Sequence, residues 1–339
     1  MIVRRAFNTA SSVTWLIMIA GNRRIKVNDD CNKDVNLDIY HQVRSGRIGA
    51  FEQKRGLVAV WGKEAVQFLD GLVTNSVKGM ADADQILAAF PDAKGRLLAV
   101  VRVLRQGDRY LFETEEATRG VVYQNLFRFT FAGDFFVEDL SDAFTYIGIF
   151  GRGEKRGDRD IVQQFESSLA FELPYGAGYF IPQDRAPGFR DLLAAIGCDE
   201  LDDELYEVLR IEEGIPRYGI DMDETTVVPE LGLPDLISYN KGCYIGQEII
   251  ARIHFRGHVA KQLTGLVFDG SRSEGDWPEN TEVSTPDGKP AGKLTSVAYS
   301  PQLQRTIALA YIRYDYLAPG TGLQVGDSAA TVTGLPFIK

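Results

Sequence analysis

The chain has 339 residues, 45% hydrophobic and 11% aromatic, enough to bury one large core or two to three smaller ones. A formal net charge of −10 excludes wholesale wrapping of nucleic acid, which needs a basic surface to neutralise phosphates, and leaves only a local basic patch open to anions. The three cysteines, Cys31, Cys198 and Cys243, form no C-x-x-C pair, so neither a disulfide framework nor a four-cysteine metal site can be assembled, and a reducing compartment fits.

The N-terminal stretch carries Arg4, Arg5, Arg23, Arg24 and Lys26 without an acid, around an apolar run from Val13 to Ala20. That run is too short to span a bilayer, so no membrane role is expected. The composition suits a transit peptide, and equally an upstream start or a disordered extension. The cytoplasm is the expected location, with the mitochondrial matrix as the alternative if residues 1–26 are a transit peptide.

Apolar spacing predicts a helix over Val35 to Arg47, a strand over Gly56 to Trp61 and a helix over Lys63 to Leu72, closed by Thr74-Asn75-Ser76. Strands are predicted at Gln85 to Phe90, Leu97 to Arg105 and Tyr110 to Glu113, joined by turn residues, and a helix follows at Glu116 to Phe127. Further strands fall at Phe135 to Glu138 and Phe144 to Phe150, and a helix at Asp160 to Leu169. The loop Gly151 to Gly157 has the wrong glycine spacing for a dinucleotide fold and reads as solvated. Beyond Ala260, short strands at Leu263 to Phe268, Thr281 to Ser284, Gly292 to Ala298, Thr306 to Ile312 and Ala329 to Thr333 predict a small antiparallel barrel. The expected division is an N-terminal extension over 1–48, an α+β region of two lobes over 49–260, and a β-barrel over 261–339.

The stretch from Ser238 to Lys261 carries one acid, Glu248, against Lys241, Arg252, Arg256 and Lys261, with His254 and His258 able to add charge, so it reads as an anion-attracting face. Gly242 and Gly246 flank Cys243 ahead of a helix predicted over Gln247 to Ile253, which would lower the thiol pKa near Lys241. The competing reading is a small buried cysteine in a tight turn. His254 and His258 lack a third ligand and are assigned to the basic face or the packing beneath it. Tyr175, Tyr179 and Phe180 suit either stacking on a flat ligand or a hairpin core.

The segment Lys241-Gly242-Cys243-Tyr244-Ile245-Gly246-Gln247-Glu248 resembles the K-G-C-Y-x-G-Q-E motif of the YgfZ-type folate-binding family. Phe68-Leu69-Asp70-Gly71-Leu72-Val73-Thr74-Asn75 is similar to its F-L-x-x-x-x-T-N segment, and Arg210-Ile211-Glu212-Glu213-Gly214-Ile215-Pro216 to its R-x-E-x-G-x-P segment. The resemblance implies an α+β, T-protein-like three-lobed fold, with two mixed lobes around a folate cavity and a C-terminal β-barrel. It implies tetrahydrofolate or a derivative as cofactor, and iron–sulfur client or assembly proteins and weak tRNA contact as partners. Cys243 is then the functional centre, and Asn75, Arg210, Glu212, Lys241, Gly242, Tyr244, Gly246, Gln247, Glu248, Arg252 and Arg256 are the expected cofactor contacts. T-protein aminomethyltransferases of glycine cleavage share the superfamily, but their sequences carry an Asp pair where this chain has Leu98 and Ala99, and they lack the cysteine motif. Three readings follow: a folate-dependent accessory protein for iron–sulfur enzymes, a folate-dependent aminomethyltransferase or demethylase, and a non-catalytic RNA- or protein-binding module.

Overall fold

The computed structural model describes residues 24–27, 35–151, 168–270, 275–278 and 280–338. In chain order these contain β1 (Arg24–Val27), α1 (Leu37–Arg44), β2 (Gly49–Gln53), β3 (Arg55–Trp61), α2 (Ala65–Asp70), β4 (Gln85–Pro91), β5 (Leu97–Gln106), β6 (Arg109–Glu115), α3 (Glu116–Phe127) and β7 (Phe136–Asp139). Then follow β8 (Phe144–Phe150), β9 (Leu169–Leu173), β10 (Gly176–Pro182), α4 (Ala186–Ala195), β11 (Asp199–Glu200), α5 (Asp203–Glu212) and α6 (Gln247–Arg256). The last strands are β12 (Lys261–Phe268), β13 (Gly275–Pro278), β14 (Glu282–Ser284), β15 (Pro290–Ser300), β16 (Arg305–Arg313), β17 (Gly322–Val325) and β18 (Ser328–Thr333).

The first lobe is an antiparallel sheet in the order β4-β5-β6-β3-β7. Its β5 alternates as a two-sided strand does: Leu97, Ala99, Val101 and Val103 are buried, while Leu98, Val100 and Arg102 lie half-buried on the opposite face. The second lobe is a sheet in the order β11-β2-β8-β10-β9 with α4 on one face. Gln85 staples the two sheets, donating to Ala170 O at 3.1 Å and accepting from Glu172 N at 2.8 Å. Strands β12-β16-β15-β14-β17-β18 close into a barrel that starts at Lys261. The expected α+β architecture with a terminal barrel is therefore the observed one. The helix expected at Asp160 to Leu169 falls largely outside the described residues, and its end, Leu169, opens β9. The first helix starts later than Val35 because Asn36 is its cap, with Oδ1 accepting from Ile39 N at 3.2 Å.

A polar seam fixes α5 to the barrel. Asp202 caps α5 by accepting from Leu205 N at 2.8 Å, and acids fill its first turn, as the helix dipole favours. At its other end Arg210 donates to Asp221 Oδ2 at 2.9 Å, Ile215 O at 3.0 Å and Ser296 Oγ at 2.8 Å. A bulge in β15 between Leu294 and Ser296 turns Thr295 and Ser296 toward the same acid, and both hydroxyls donate to Asp221 Oδ1. Glu212, two residues on, points elsewhere: it accepts from Tyr40 Oη at 2.7 Å, from Arg44 and from Ser300 Oγ.

Arg210, Glu212 and Asp221 are all essentially inaccessible. Removing one partner from such a network leaves an uncompensated buried charge, so Arg210→Ala should lose about 3–5 kcal/mol. Urea unfolding should show a lower midpoint with an unchanged m-value; a loss under about 1 kcal/mol would mean the seam is not what holds α5 to the barrel.

Candidate functional site

The F-L-D-G-L-V-T-N and K-G-C-Y-I-G-Q-E segments lie far apart in sequence, yet the fold puts them in one contact. Lys241 reaches inward to the loop that ends α2, and its Nζ donates at 2.8 Å to each of the carbonyls of Asp70, Val73 and Asn75. An ammonium has three N–H donors, and here each finds one acceptor among the carbonyls that a helix end leaves open. The Asp70 carboxylate lies 3.4 Å away, also holding Ser76 Oγ and Val77 N. Burial works to raise the Asp70 carboxyl, but Lys241 and the nearby Lys78 outweigh it and hold it below the usual range. Burial likewise pushes the Lys241 ammonium down to about 8, with Asp70 countering part of the shift.

Backbone contacts complete the clamp. Ile245 N donates to Gly71 O at 3.1 Å, Ser238 N to Thr74 O at 3.0 Å, and Thr74 Oγ1 to Leu236 O at 2.6 Å. Asn75 donates its amide to Leu87 O at 3.0 Å and Asp235 O at 2.7 Å. Tyr244 is buried with Leu97, Leu236 and Ile250, and burial pushes its hydroxyl up to about 12. Gly246 has φ +80°, and a Cβ there would lie 2.4 Å from Asp92 O, so glycine lets the loop press against the 92–95 hairpin before α6 starts.

The sequence-predicted residues therefore part into two groups. Arg210, Glu212 and the Lys241 side chain are buried with their polar groups bonded to protein partners, half-buried Asn75 spends its amide on Leu87 O and Asp235 O, and Tyr244 is buried in an apolar cluster. Lys241 in particular is no exposed counter-ion for the thiol, because its side chain is 1% exposed. Gly242, Cys243, Glu248, Arg252 and Arg256 are exposed, and Gln247 is half-buried. Cys243 is a free, exposed thiol, whereas burial, with Asp199 adding, pushes the half-buried Cys198 up to about 11. His254 stacks on Tyr239 and His258 on Tyr314, each at 3.6 Å, so the two histidines serve different tyrosines. No cluster of metal-ligating side chains occurs among the described residues.

Tyr179 and Phe180 prove to be core residues, each 1% exposed. Tyr175 belongs to a second cluster that sequence reasoning missed, where β3, β5, β6 and β8 meet α5. Arg55 donates to Glu113 Oε1 from Nε at 2.7 Å, and Arg102 lies 3.8 Å from the other carboxylate oxygen. Arg55 sits 5.6 Å over the Tyr146 ring, while Phe51 packs on Tyr206 at 4.4 Å and Phe150 on Tyr175 at 4.5 Å. The hydroxyls of Tyr146, Tyr175 and Tyr206 have no hydrogen-bond partner among the described residues, although these side chains are at most 7% exposed. Unlike the sealed Tyr311 Oη, they reach solvent-sized space. Gly178 keeps that space open, since a Cβ on it would lie 2.4 Å from Tyr146 Oη. Glu115 accepts only from Tyr218 N, at 3.1 and 3.2 Å, and burial raises its pKa. A cleft of about 480 Å³, walled by Glu52, Lys54, Arg119 and Asp142, reaches Arg55 and Tyr146 from outside. The available signal was the pair Glu113 and Glu115 directly after the apolar run Tyr110 to Phe112.

Residues 261–339 match the model of the glycine cleavage T-protein C-terminal barrel domain. The chain is 26% identical over 237 residues to a Mycosarcoma maydis protein named iron-sulfur cluster assembly factor IBA57 homolog, mitochondrial, the match covering 63% of this chain and 55% of that one. It is 27% identical over 234 residues to the tRNA-modifying protein YgfZ of Shigella sonnei, covering 64% of this chain and 70% of that one. The chain is thus similar to YgfZ- and IBA57-type proteins, and its barrel to that of the T-protein. The aminomethyltransferase T of Bartonella henselae shares its fold at a TM-score of 0.79 over 89% of both chains, with 17% identity. Two of the three family-like segments are thus the two halves of the Lys241 clamp. No helix among the described residues is long and apolar enough to cross a membrane.

Replacing Lys241 by Met should cost about 3 kcal/mol, since three carbonyls and a buried carboxylate lose their donor. The sign of the pH effect is fixed by the depressed ammonium. From pH 8 upward the folded state binds fewer protons than the unfolded chain, whose lysine titrates near 10.5, so this group makes stability rise with pH. Urea melts between pH 8 and 9.5 should show that rising contribution in the wild type and its absence in Lys241→Met; parallel curves would refute the buried ammonium.

Proposed function

We propose that this protein is a folate-dependent accessory factor for the assembly, maintenance or repair of iron–sulfur enzymes, binding tetrahydrofolate or a derivative in the Arg55–Tyr146–Tyr206 cluster and presenting Cys243 to its client. The observation that carries this reading is the rigid presentation of an exposed thiol: Lys241 anchors the loop from within while Cys243 stays open. The names of the Mycosarcoma and Shigella relatives support the iron–sulfur and tRNA-linked context. They also support a reducing compartment, the bacterial cytoplasm or the mitochondrial matrix.

The residues of the interior cluster fit a reduced folate. A pterin is a flat ring whose amino-amide edge donates two hydrogen bonds side by side, which a carboxylate accepts. Glu113 is occupied by Arg55, so Glu115, with acceptor capacity left over, is the carboxylate that would hold that edge. Its raised pKa costs binding little, because a donated N–H pair favours the ionised form. Tyr146, Tyr175 and Tyr206 supply ring surface and hydroxyls still in need of partners. A bound folate supplies one-carbon chemistry; the chain's own residues orient it and exclude water.

The second reading, a T-protein-type aminomethyltransferase, rests on the shared fold. Against it, Leu98 and Ala99 stand where T-protein sequences carry acids, and neither can polarise a reacting nitrogen.

Tetrahydrofolate at a hundredfold excess over Kd should stabilise the protein by about 2.7 kcal/mol. Glu115→Gln should weaken binding about tenfold, the loss of one charge-assisted hydrogen bond. Cys243→Ser should bind folate normally yet fail to support iron–sulfur enzymes in a strain lacking its own copy, because a hydroxyl supplies neither thiolate nor soft ligand. An unchanged melting curve at millimolar folate removes the cofactor, and full rescue by the serine variant removes the thiol. Methylenetetrahydrofolate formed from an aminomethyl donor above a no-protein control would promote the transferase.

A further inference from the structure

The exposed side of α6 and the adjoining end of the barrel carry a surface that the cysteine chemistry does not use. From Ile249 to Phe268 there is no acidic residue. Arg252, Arg256, Lys261 and Arg313 are exposed, and no carboxylate among the described residues lies within salt-bridge reach of any of them. Lys261 and Arg313 stand directly opposite each other on β12 and β16. Like charges in that position repel, and the protein offers them only a ring face and a carbonyl: Lys261 lies 4.7 Å over the Tyr311 ring and Arg313 donates to Pro290 O at 3.4 Å. In a chain of net charge −10, this is a localised positive face. The acids at its edge are Glu248 in the first turn of α6 and Asp315 after Tyr314, and the buried Glu230 lies close enough for its charge to act on Lys261.

Flat rings are interleaved with these cations. His254 lies on Tyr239 with an interplanar angle of 14°, and His258 on Tyr314 with one of 11°. Both histidines are exposed, so each pair offers an outer π-face that a third ring can extend. Phe255, 67% exposed, stands edge-on to His254 and Tyr239. An acidic peptide would satisfy the cations and leave these faces unused. A nucleic-acid strand whose bases are not paired engages both, with phosphates on the guanidinium and ammonium groups and bases on the rings.

We propose that this face binds an unpaired nucleic-acid strand, with His254, Phe255 and His258 as stacking platforms and Arg252, Arg256, Lys261 and Arg313 as phosphate contacts. The α6 helix that carries Arg252, His254, Phe255 and Arg256 begins directly after the cysteine loop. The inference stands apart from the folate reading, since no residue of the interior cluster takes part.

Fluorescence anisotropy of a short labelled oligouridylate with the full chain tests it, titrated between about 50 and 200 mM salt. Binding should weaken with salt. Arg256→Ala should reduce the slope of log K against log salt by about 0.7, the value for one phosphate contact on a single strand. Phe255→Ala with His254→Ala should weaken binding about tenfold and leave the slope unchanged, as loss of base stacking does. An abasic oligomer of equal charge should lose the same factor, and a duplex should bind less tightly than the single strand. Equal binding of the abasic oligomer or the duplex would overturn the proposal. So would full competition by a polyglutamate peptide with no effect of the ring substitutions, which would make the face an acidic-protein site, or absence of binding at the lowest salt. All three substituted side chains are exposed, and unchanged far-UV dichroism confirms the fold.

Discussion

The Lys241 ammonium is the point on which the arrangement turns. Three carbonyls at the end of α2 and the Asp70 carboxylate need a donor in a place water does not reach, and one side chain from a distant segment meets them. Leaving them unmet would cost the desolvation of several polar groups, so the loop carrying Lys241 has little freedom to move away. Its neighbours inherit that fixity. Tyr244 is pulled into the apolar cluster beneath, Gly246 is pressed on the hairpin, and Cys243 between them stays at the surface. A thiol on a free loop would pay ordering entropy each time it met a partner; this one has been ordered by folding.

The same economy appears at the barrel. Arg210 and Glu212 lie two apart on α5 and face different sides, yet each ends on a hydroxyl of β15, Ser296 or Ser300. The bulge in β15 turns Thr295 and Ser296 toward Asp221. These charges hold the barrel against α5 and leave the interior of the two sheets to a different set of side chains. The molecule thereby separates three tasks: the seam holds, the Arg55–Tyr146 cluster encloses, and the Cys243 loop with α6 faces outward.

Interior polar groups mark the enclosed site by what they lack. Arg55 and Glu113 neutralise each other at contact distance, which makes their burial tolerable. Among the described residues, the hydroxyls of Tyr146, Tyr175 and Tyr206 have no hydrogen-bond partner, and Glu115 keeps unused acceptor capacity. Their oxygens keep enough accessible surface to bond water or another polar group in that space.

The sequence by itself determined the elements whose periodicity is strong. Alternation along Leu97 to Val103, the apolar run at Phe144 to Phe150 and the evenly spaced strands after Ala260 read correctly, because side-chain direction in a strand depends only on position. It also marked the three family-like segments and singled out Cys243, whose exposure the fold decided. Contact decided the rest. Lys241, read as part of a surface charge, is interior because the carbonyls that bind it belong to residues 70 to 75, and no local pattern reveals a backbone acceptor so distant in sequence. Arg210 and Glu212 read as ligand contacts for the same reason: a charged side chain on an amphipathic helix looks alike whether its partner is a cofactor or another strand. Tyr146, Tyr206 and Glu115 are unremarked in sequence and become a site only when two sheets and a helix close around them. Local physics writes the elements into the chain, whereas the satisfaction of buried polar groups is a property of the closed fold.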